Sequence, residues 1–302
     1  MKRYFVLLFC LISLSTASLA EPVCFNGISF DSEAEYIDMG SQAVKDYESF
    51  IVFLRQFSSL KKVDMFETGI EGRDADELAA AFPGITFGWS LRMQQYHVVR
   101  SDAEVFSTLH DGIHPRHSSN DFSFMKYCTN LKALDLGHNN LTDISFLGEM
   151  PELRVLILAD NPNLINIDQL ASLENVEYLE LFTCGIVDLS PLTALENLVD
   201  LNLCRNVVAD WRPLKEMKNL RRLWVSNMCS PAMTPADRQE LQDALPDTQI
   251  VFFDDPTDNG WRRDPITNAM HPHYETIYTM FKTGTYIPFA DTDLSLPEED
   301  GQ

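Results

Sequence analysis

Five nine-residue lines recur in register along the second half of the chain. They are Leu131-Lys-Ala-Leu-Asp-Leu-Gly-His-Asn139, Leu153-Arg-Val-Leu-Ile-Leu-Ala-Asp-Asn161, Val176-Glu-Tyr-Leu-Glu-Leu-Phe-Thr-Cys184, Leu198-Val-Asp-Leu-Asn-Leu-Cys-Arg-Asn206 and Leu220-Arg-Arg-Leu-Trp-Val-Ser-Asn-Met228. Their starts lie 22, 23, 22 and 22 residues apart. A coil this short cannot bury its own apolar side, so stacked coils must share one continuous core. Period-2 alternation turns Leu134 and Leu136 inward and Asp135 outward. At the ninth position Asn139, Asn161 and Asn206 are expected to point inward and bond the backbone where the strand bends, because buried backbone groups need partners. Cys184 takes that place in the third line. Met228 takes it in the fifth and cannot make those bonds, which marks the start of an end cap. The returning segments repeat as well. Asp143-Ile-Ser-Phe-Leu, Asn166-Ile-Asp-Gln-Leu, Asp188-Leu-Ser-Pro-Leu and Asp210-Trp-Arg-Pro-Leu suit tight or 3-10 turns.

The line L-x-x-L-x-L-x-x-N resembles the leucine-rich repeat, and the short return resembles the 22-residue class of bacterial internalins. That resemblance implies an α/β solenoid, with a parallel β-sheet on the concave face and short helices or 3-10 turns on the convex face. The stretch Val98-Val-Arg-Ser-Asp-Ala-Glu-Val-Phe-Ser-Thr-Leu-His110, the first two repeat lines and Gly260-Trp-Arg262 are similar to secreted leucine-rich-repeat proteins of gut Firmicutes. The likeness spans residues 30–290 and implies fold and export rather than a chemistry.

Outside the regular coils the pattern is degenerate. Leu60–Ile70 fits the same template, and Tyr36–Met39 and Ile85–Phe87 read as further strands. Asp46–Phe57 carries an apolar stripe at helical spacing, and Asp74–Phe82 is an Ala-rich helix ending before a proline. Ser101-Asp-Ala-Glu104 reads as a capping box opening a helix to Leu109, and 120–128 as a short helix. The 46 residues from Ile85 to Leu131 are about two repeats, with an insertion placed at 112–119. Cys24–Phe30 reads as a lone strand that caps one end. Pro235 opens a helix to Ala244, 248–253 is a last strand, and Tyr274–Phe281 is a closing helix. The expected organisation is a signal peptide (1–20), an N-terminal cap and first coil (21–59), degenerate repeats with an insertion (60–130), regular repeats (131–233), a C-terminal cap (234–290) and a disordered acidic tail (291–302).

Lys2 and Arg3, the apolar run 4–14 and Ser18-Leu-Ala20 have the three parts of an export signal, cleaved near Ala20. The run is too short to span a bilayer, so a secreted or cell-envelope protein without membrane insertion is expected. With 45 acidic against 23 basic residues the net charge is −22, which excludes general nucleic-acid binding. The cysteines have neither zinc spacing nor a disulfide framework, and most read as small buried residues.

No nucleophile–base motif or phosphate loop is present, so the chain reads as a non-enzyme without cofactor. His110, His114 and His117 have metal-ligand spacing, but Gly112 and Pro115 break any helix between them. They read as an exposed loop rather than a metal site. Residues 255–260 share part of a calcium-loop pattern, yet Ile266 stands where the motif needs a bidentate Glu. The candidate ligand-binding residues are those that alternation turns outward on the sheet: Asp135, Ile157, Tyr178, Glu180, Phe182, Asp200, Asn202, Arg222 and Trp224. Tyr, Trp and Arg dominate binding hot spots, and here they sit beside acids. Two readings of this face stand side by side, recognition of a partner and mutual packing along the sheet. The functional expectation is a binding protein for a protein or glycan ligand on the concave face, of unspecified oligomeric state. The alternatives are a structural cell-envelope spacer and a secreted metal-dependent hydrolase using the histidine loop.

Overall fold

The computed structural model describes residues 22–69, 73–93, 96–109, 115–253, 256–257 and 260–289. The expected signal peptide, the acidic tail, His110 and His114 lie outside them. The chain opens with an antiparallel hairpin of β1 (Val23–Phe25) and β2 (Ile28–Phe30). Its two-residue turn, Asn26-Gly27, has positive φ at both positions, as a tight hairpin requires. The expected lone strand is therefore two short ones. β3 (Tyr36–Asp38) precedes α1 (Tyr47–Leu54), which starts where Asp46 Oδ1 accepts the Ser49 N–H. Phe25 packs edge to face on Phe50 and tilted on Phe53, beneath the hairpin. β4 (Lys62–Asp64), α2 (Arg73–Ala81) and β5 (Thr86–Gly88) follow, and β3, β4 and β5 form a three-stranded parallel sheet.

A second hairpin, β6 (Ser90–Met93) and β7 (His97–Arg100), interrupts the coils. It takes up extra chain between Ile85 and Leu131 at 90–100, ahead of the insertion expected at 112–119, of which residues 112–114 lie outside the described residues. β8 (Val105–Ser107) stands where a helix was expected, pairing in parallel with β9 (Ala133–Asp135). Two facts account for the difference. The Ser101 hydroxyl accepts the Trp89 N–H at 2.9 Å instead of capping a helix, and Val105 lies in register with the outward residue Ala133 of the next coil. Pairing with a neighbouring coil outweighs the local signal.

The regular coils contribute β10 (Val155–Ile157), β11 (Tyr178–Glu180), β12 (Asp200–Asn202) and β13 (Arg222–Trp224). After α3 (Pro235–Ala244), capped by Thr234 and Asp237, β14 (Gln249–Val251) completes a seven-stranded parallel sheet in the order β14 to β8. Each coil returns through a 3-10 turn such as Ser190–Ala194, where Asp188 Oδ1 accepts the Ser190 N–H. The Leu ladder (Leu134, Leu156, Leu179, Leu201 and Leu223) is fully buried between sheet and turns. The fold is an α/β leucine-rich-repeat solenoid.

Two features recur where the strands of the regular coils end. The eighth residue (His138, Asp160, Thr183, Arg205 and Asn227) adopts a left-handed backbone with φ between 51 and 57°. Each such residue costs roughly 1–2 kcal/mol. The cost is offset by one more rung of the ladder, for example from the Asp160 N–H to Phe182 O at 2.8 Å. The ninth residue then ties adjacent coils together. Asn161 Nδ2 donates to Leu136 O and Leu158 O, and its Oδ1 accepts from the Leu141 N–H. Asn206 repeats this with Leu181 O, Leu203 O and the Ile186 N–H. The Cys184 thiol donates to Leu158 O at 3.3 Å but lacks the amide oxygen with which Asn161 and Asn206 accept a backbone N–H of the preceding coil.

The final helix α4 (Pro272–Thr283) does not close the far end of the solenoid, where the sequence placed it. It lies on the concave face, with Ile277, Met280 and Phe281 in one cluster with Val105, Ala133, Val155 and Ile157.

Candidate functional site: the concave face and its cover

The nine candidate residues are gathered on one sheet face, as alternation requires, but the expectation that they face solvent is corrected. Residues 256–257 and 260–289 fold back over β14 to β8 and bury them: Glu180 and Asn202 are 0% exposed, Tyr178, Asp200 and Trp224 1%, Ile157 and Arg222 2%, Asp135 4% and Phe182 6%. The face is a second core, with Trp261, Ile277, Met280 and Phe289 supplied from above. Local sequence builds the cover. His271 caps α4 by accepting the His273 N–H on Nδ1, Pro272 occupies the first helical position, and Gly284 ends the helix in a left-handed conformation. The spacing of Ile277, Met280 and Phe281 gives one apolar stripe, and that stripe faces the sheet.

Three charged anchors join cover to sheet. Glu180 accepts from Trp261 Nε1 at 2.7 Å, from Arg262 through Nε at 3.1 Å and through Nη2, and from the Tyr178 hydroxyl. Burial pulls the Arg262 guanidinium down, but Glu180 outweighs it and holds the pKa above its ordinary value. Asp200 accepts from Arg222 Nε at 3.1 Å and Nη2 at 2.5 Å, and its Oδ2 meets His273 Nδ1 at 2.5 Å. Burial pushes the Asp200 carboxyl up; Arg222 and His273 outweigh burial and hold it below the usual range. Arg222 also donates to Trp261 O at 3.1 Å and lies over the Trp261 ring, 4.5 Å from its centroid. Asn202 Nδ2 donates to Pro256 O at 2.7 Å. A buried charge is tolerated only when paired and hydrogen-bonded, and each of these is. Asp135 is the exception. Among the described residues it accepts the Gly137 N–H and the Ser107 hydroxyl but no cation, and burial pushes its carboxyl up to about 6.

The signal that sequence reading missed lies in the cover. Trp261, Arg262 and the α4 stripe follow a completed end strand and fit no coil register. An apolar stripe left over after the solenoid ends needs a surface, and the outward row of Ala133, Val155, Ile157, Tyr178 and Trp224 is that surface.

The cover stops at β8. On the three-stranded sheet the same outward positions carry Tyr36 and Asp38, Lys62 and Asp64, and Thr86 and Gly88. Tyr36 is 51% exposed, and its hydroxyl donates to Asp64 Oδ2 at 3.0 Å. Lys62 pairs with Asp64 at 3.2 Å and lies over the Tyr36 ring. Phe66 stacks against Arg100 at 3.4 Å, over Gly88, where a Cβ would meet its ring at 2.6 Å. Arg100 is held in turn by a two-pronged bond to Asp102. This part of the concave side is open, polar and aromatic, with side chains already held in place.

Of the histidine triplet only His117 is described. It is buried, 5.2 Å from the His97 ring. Among the described residues no three metal-ligating side chains cluster, and no helix is long and apolar enough to cross a membrane.

Residues 129–172 match the family described as Leucine Rich repeats (2 copies). No curated protein matches the chain. Among solved structures, internalin C2 of Listeria monocytogenes is similar at 23% identity and a TM-score of 0.40, over 55% of this chain and 76% of that one. An internalin F of the same organism is 17% identical, with a TM-score of 0.40, over 80% of this chain and 61% of that one. A leucine-rich-repeat protein of Leptospira interrogans is 20% identical, with a TM-score of 0.43, over 72% and 54%. The chain thus spans less than two thirds of the last two proteins.

Proposed function

We propose that the protein is an exported binding scaffold that engages a protein partner through the concave side of its N-terminal three-stranded sheet. The observation that carries this reading is the contrast along one continuous side of the solenoid. Outward residues of β8 to β14 hold the chain's own C-terminal segment, whereas Tyr36, Asp38, Lys62 and Thr86 of β3 to β5 are exposed. In this reading Asp135, Ile157, Tyr178, Glu180, Phe182, Asp200, Asn202, Arg222 and Trp224 recognise residues 256–289 rather than a separate ligand. Tyr36, Lys62, Phe66 and Arg100 meet the partner. Their chemistry, aromatic rings beside paired charges, is that of interface hot spots. Because each is already held by a neighbour, little side-chain entropy is lost on binding. Export rests on the signal at 1–20, and mass analysis of the protein released by its host tests cleavage near Ala20.

The deciding experiment is a comparative capture with two baits, wild type and a variant carrying Tyr36→Ala, Lys62→Ala and Arg100→Ala, each checked for the same melting temperature. A partner held by wild type and lost by the variant supports the reading. Identical capture by the two folded baits refutes it. A spacer without a ligand would return no saturable partner from either bait.

A further inference from the structure

The covered half of the concave side keeps an opening among the described residues. It is a cleft of about 290 Å³ where the cover meets the edge of β11 and β12, lined by Glu177, Tyr178, Asp200, His273 and Phe289 among others. Its polar feature is an imidazole with a fixed role. Asp200 holds His273 Nδ1 at 2.5 Å, which fixes the ring and turns its other nitrogen, Nε2, away from the carboxylate. Among the described residues no protein group bonds Nε2, and solvent reaches it. Asp200 is itself 1% exposed and fixed by Arg222, which makes the imidazole rigid. The walls beside it are flat and apolar. The Phe289 ring lies 5.6 Å from the His273 ring and 6.3 Å from the Tyr178 ring.

We propose that this cleft binds a small hydroxyaryl molecule, its ring against Phe289 and Tyr178 and its hydroxyl donating to His273 Nε2. The volume sits at the small end of ligand pockets, enough for one substituted ring. The charges at the cleft are balanced in pairs, Asp200 with Arg222 and Glu177 with Arg154, and the chain carries a net −22, so a neutral molecule is favoured over an anion. One imidazole nitrogen does not make a metal site. The lining residues include no Ser, Thr or Cys for a nucleophile, so the paired imidazole serves recognition rather than turnover.

The test is a titration of the full chain with p-cresol, toluene and benzoate, followed by ligand-observed NMR and by calorimetry. Wild type is expected to bind p-cresol saturably, with toluene about tenfold weaker, the worth of one buried hydrogen bond. Benzoate should be weaker still. Phe289→Leu, which leaves Asp200 and His273 untouched, should weaken p-cresol at least threefold at unchanged melting temperature. His273→Phe should abolish the preference for p-cresol over toluene. Absence of saturable p-cresol binding, equal binding of p-cresol and toluene to wild type, or unchanged affinity in a folded Phe289→Leu protein would each overturn the proposal. None of these readouts depends on Tyr36 or Lys62, so partner capture and ligand binding fail separately.

Discussion

Replacing Trp261 by Ala removes the side chain that joins cover to sheet. Trp261 is 0% exposed, packs 5.3 Å from Tyr178 and 5.2 Å from Trp224 between ring centroids, and donates its indole N–H to Glu180. Truncating a buried aromatic costs about 3–5 kcal/mol through lost contacts and the remaining cavity. Glu180 keeps Arg262 and Tyr178, so the charge itself stays paired. For a chain of this size each kcal/mol moves the midpoint by about 2–4 °C, so a fall of about 6–20 °C is expected. The loss should be local as well as global. Hydrogen exchange should quicken in α4 and on β11 to β13, and a dye that binds exposed apolar surface should gain signal before the main transition. The control is Ile266→Ala, at a residue 91% exposed, which should change none of these. A Trp261→Ala protein melting within about 2 °C of wild type, without dye binding, would refute the reading of residues 256–289 as part of the core.

Two further outcomes follow from the same geometry. Asp135 is ionised at neutral pH against a carboxyl pushed up to about 6, about two units above its free value of 3.8. The folded state therefore binds this proton more readily than the unfolded one, and stability gains as pH falls from about 6 towards 4. Asp135→Asn should raise stability near pH 7 by on the order of 2–3 kcal/mol and have little effect at pH 4, read from urea midpoints. Equal effects at the two pH values would contradict the assignment. Asn161→Ala strands the Leu141 N–H and two carbonyls at once and should cost about 2–4 kcal/mol in a denaturant melt, against less than 1 for the exposed Asn166→Ala.

How much was legible in the sequence depended on what set each feature. The coils, their inward Leu residues and the asparagine ladder follow from a strict period and from the need to pair buried backbone groups, and both act within one repeat. β8 was misread because its local signal, Ser101 to Glu104, favours a helix while its pairing partner Ala133 lies 28 residues ahead. The candidate face was identified residue by residue but given the wrong surroundings. Alternation tells which side of the sheet Glu180 and Asp200 occupy; it does not tell what covers that side. The cover comes from Trp261, Arg262 and His273, 73–82 residues away in sequence, and no repeat period links them. The charges themselves were the readable clue. Glu180, Asp200 and Arg222 among Val155, Ile157 and Trp224 make a surface too apolar for water and too charged to pack on itself, which calls for a partner with matching charges. Here the same chain supplies it.

Thiol accessibility tests the covered concave face most directly. Cys204 occupies an outward position of its coil and is 0% exposed in the cluster that Trp261 and α4 complete, whereas Cys128 and Cys184 point into the Leu core and Cys24 is exposed. Native protein would be treated with a maleimide and mapped by mass spectrometry over time. The expected result is rapid labelling of Cys24 and protection of Cys204 equal to that of Cys128 and Cys184, with Cys204 released ahead of those two in Trp261→Ala. Labelling of Cys204 in wild type as fast as Cys24 would contradict it and return the concave face to solvent.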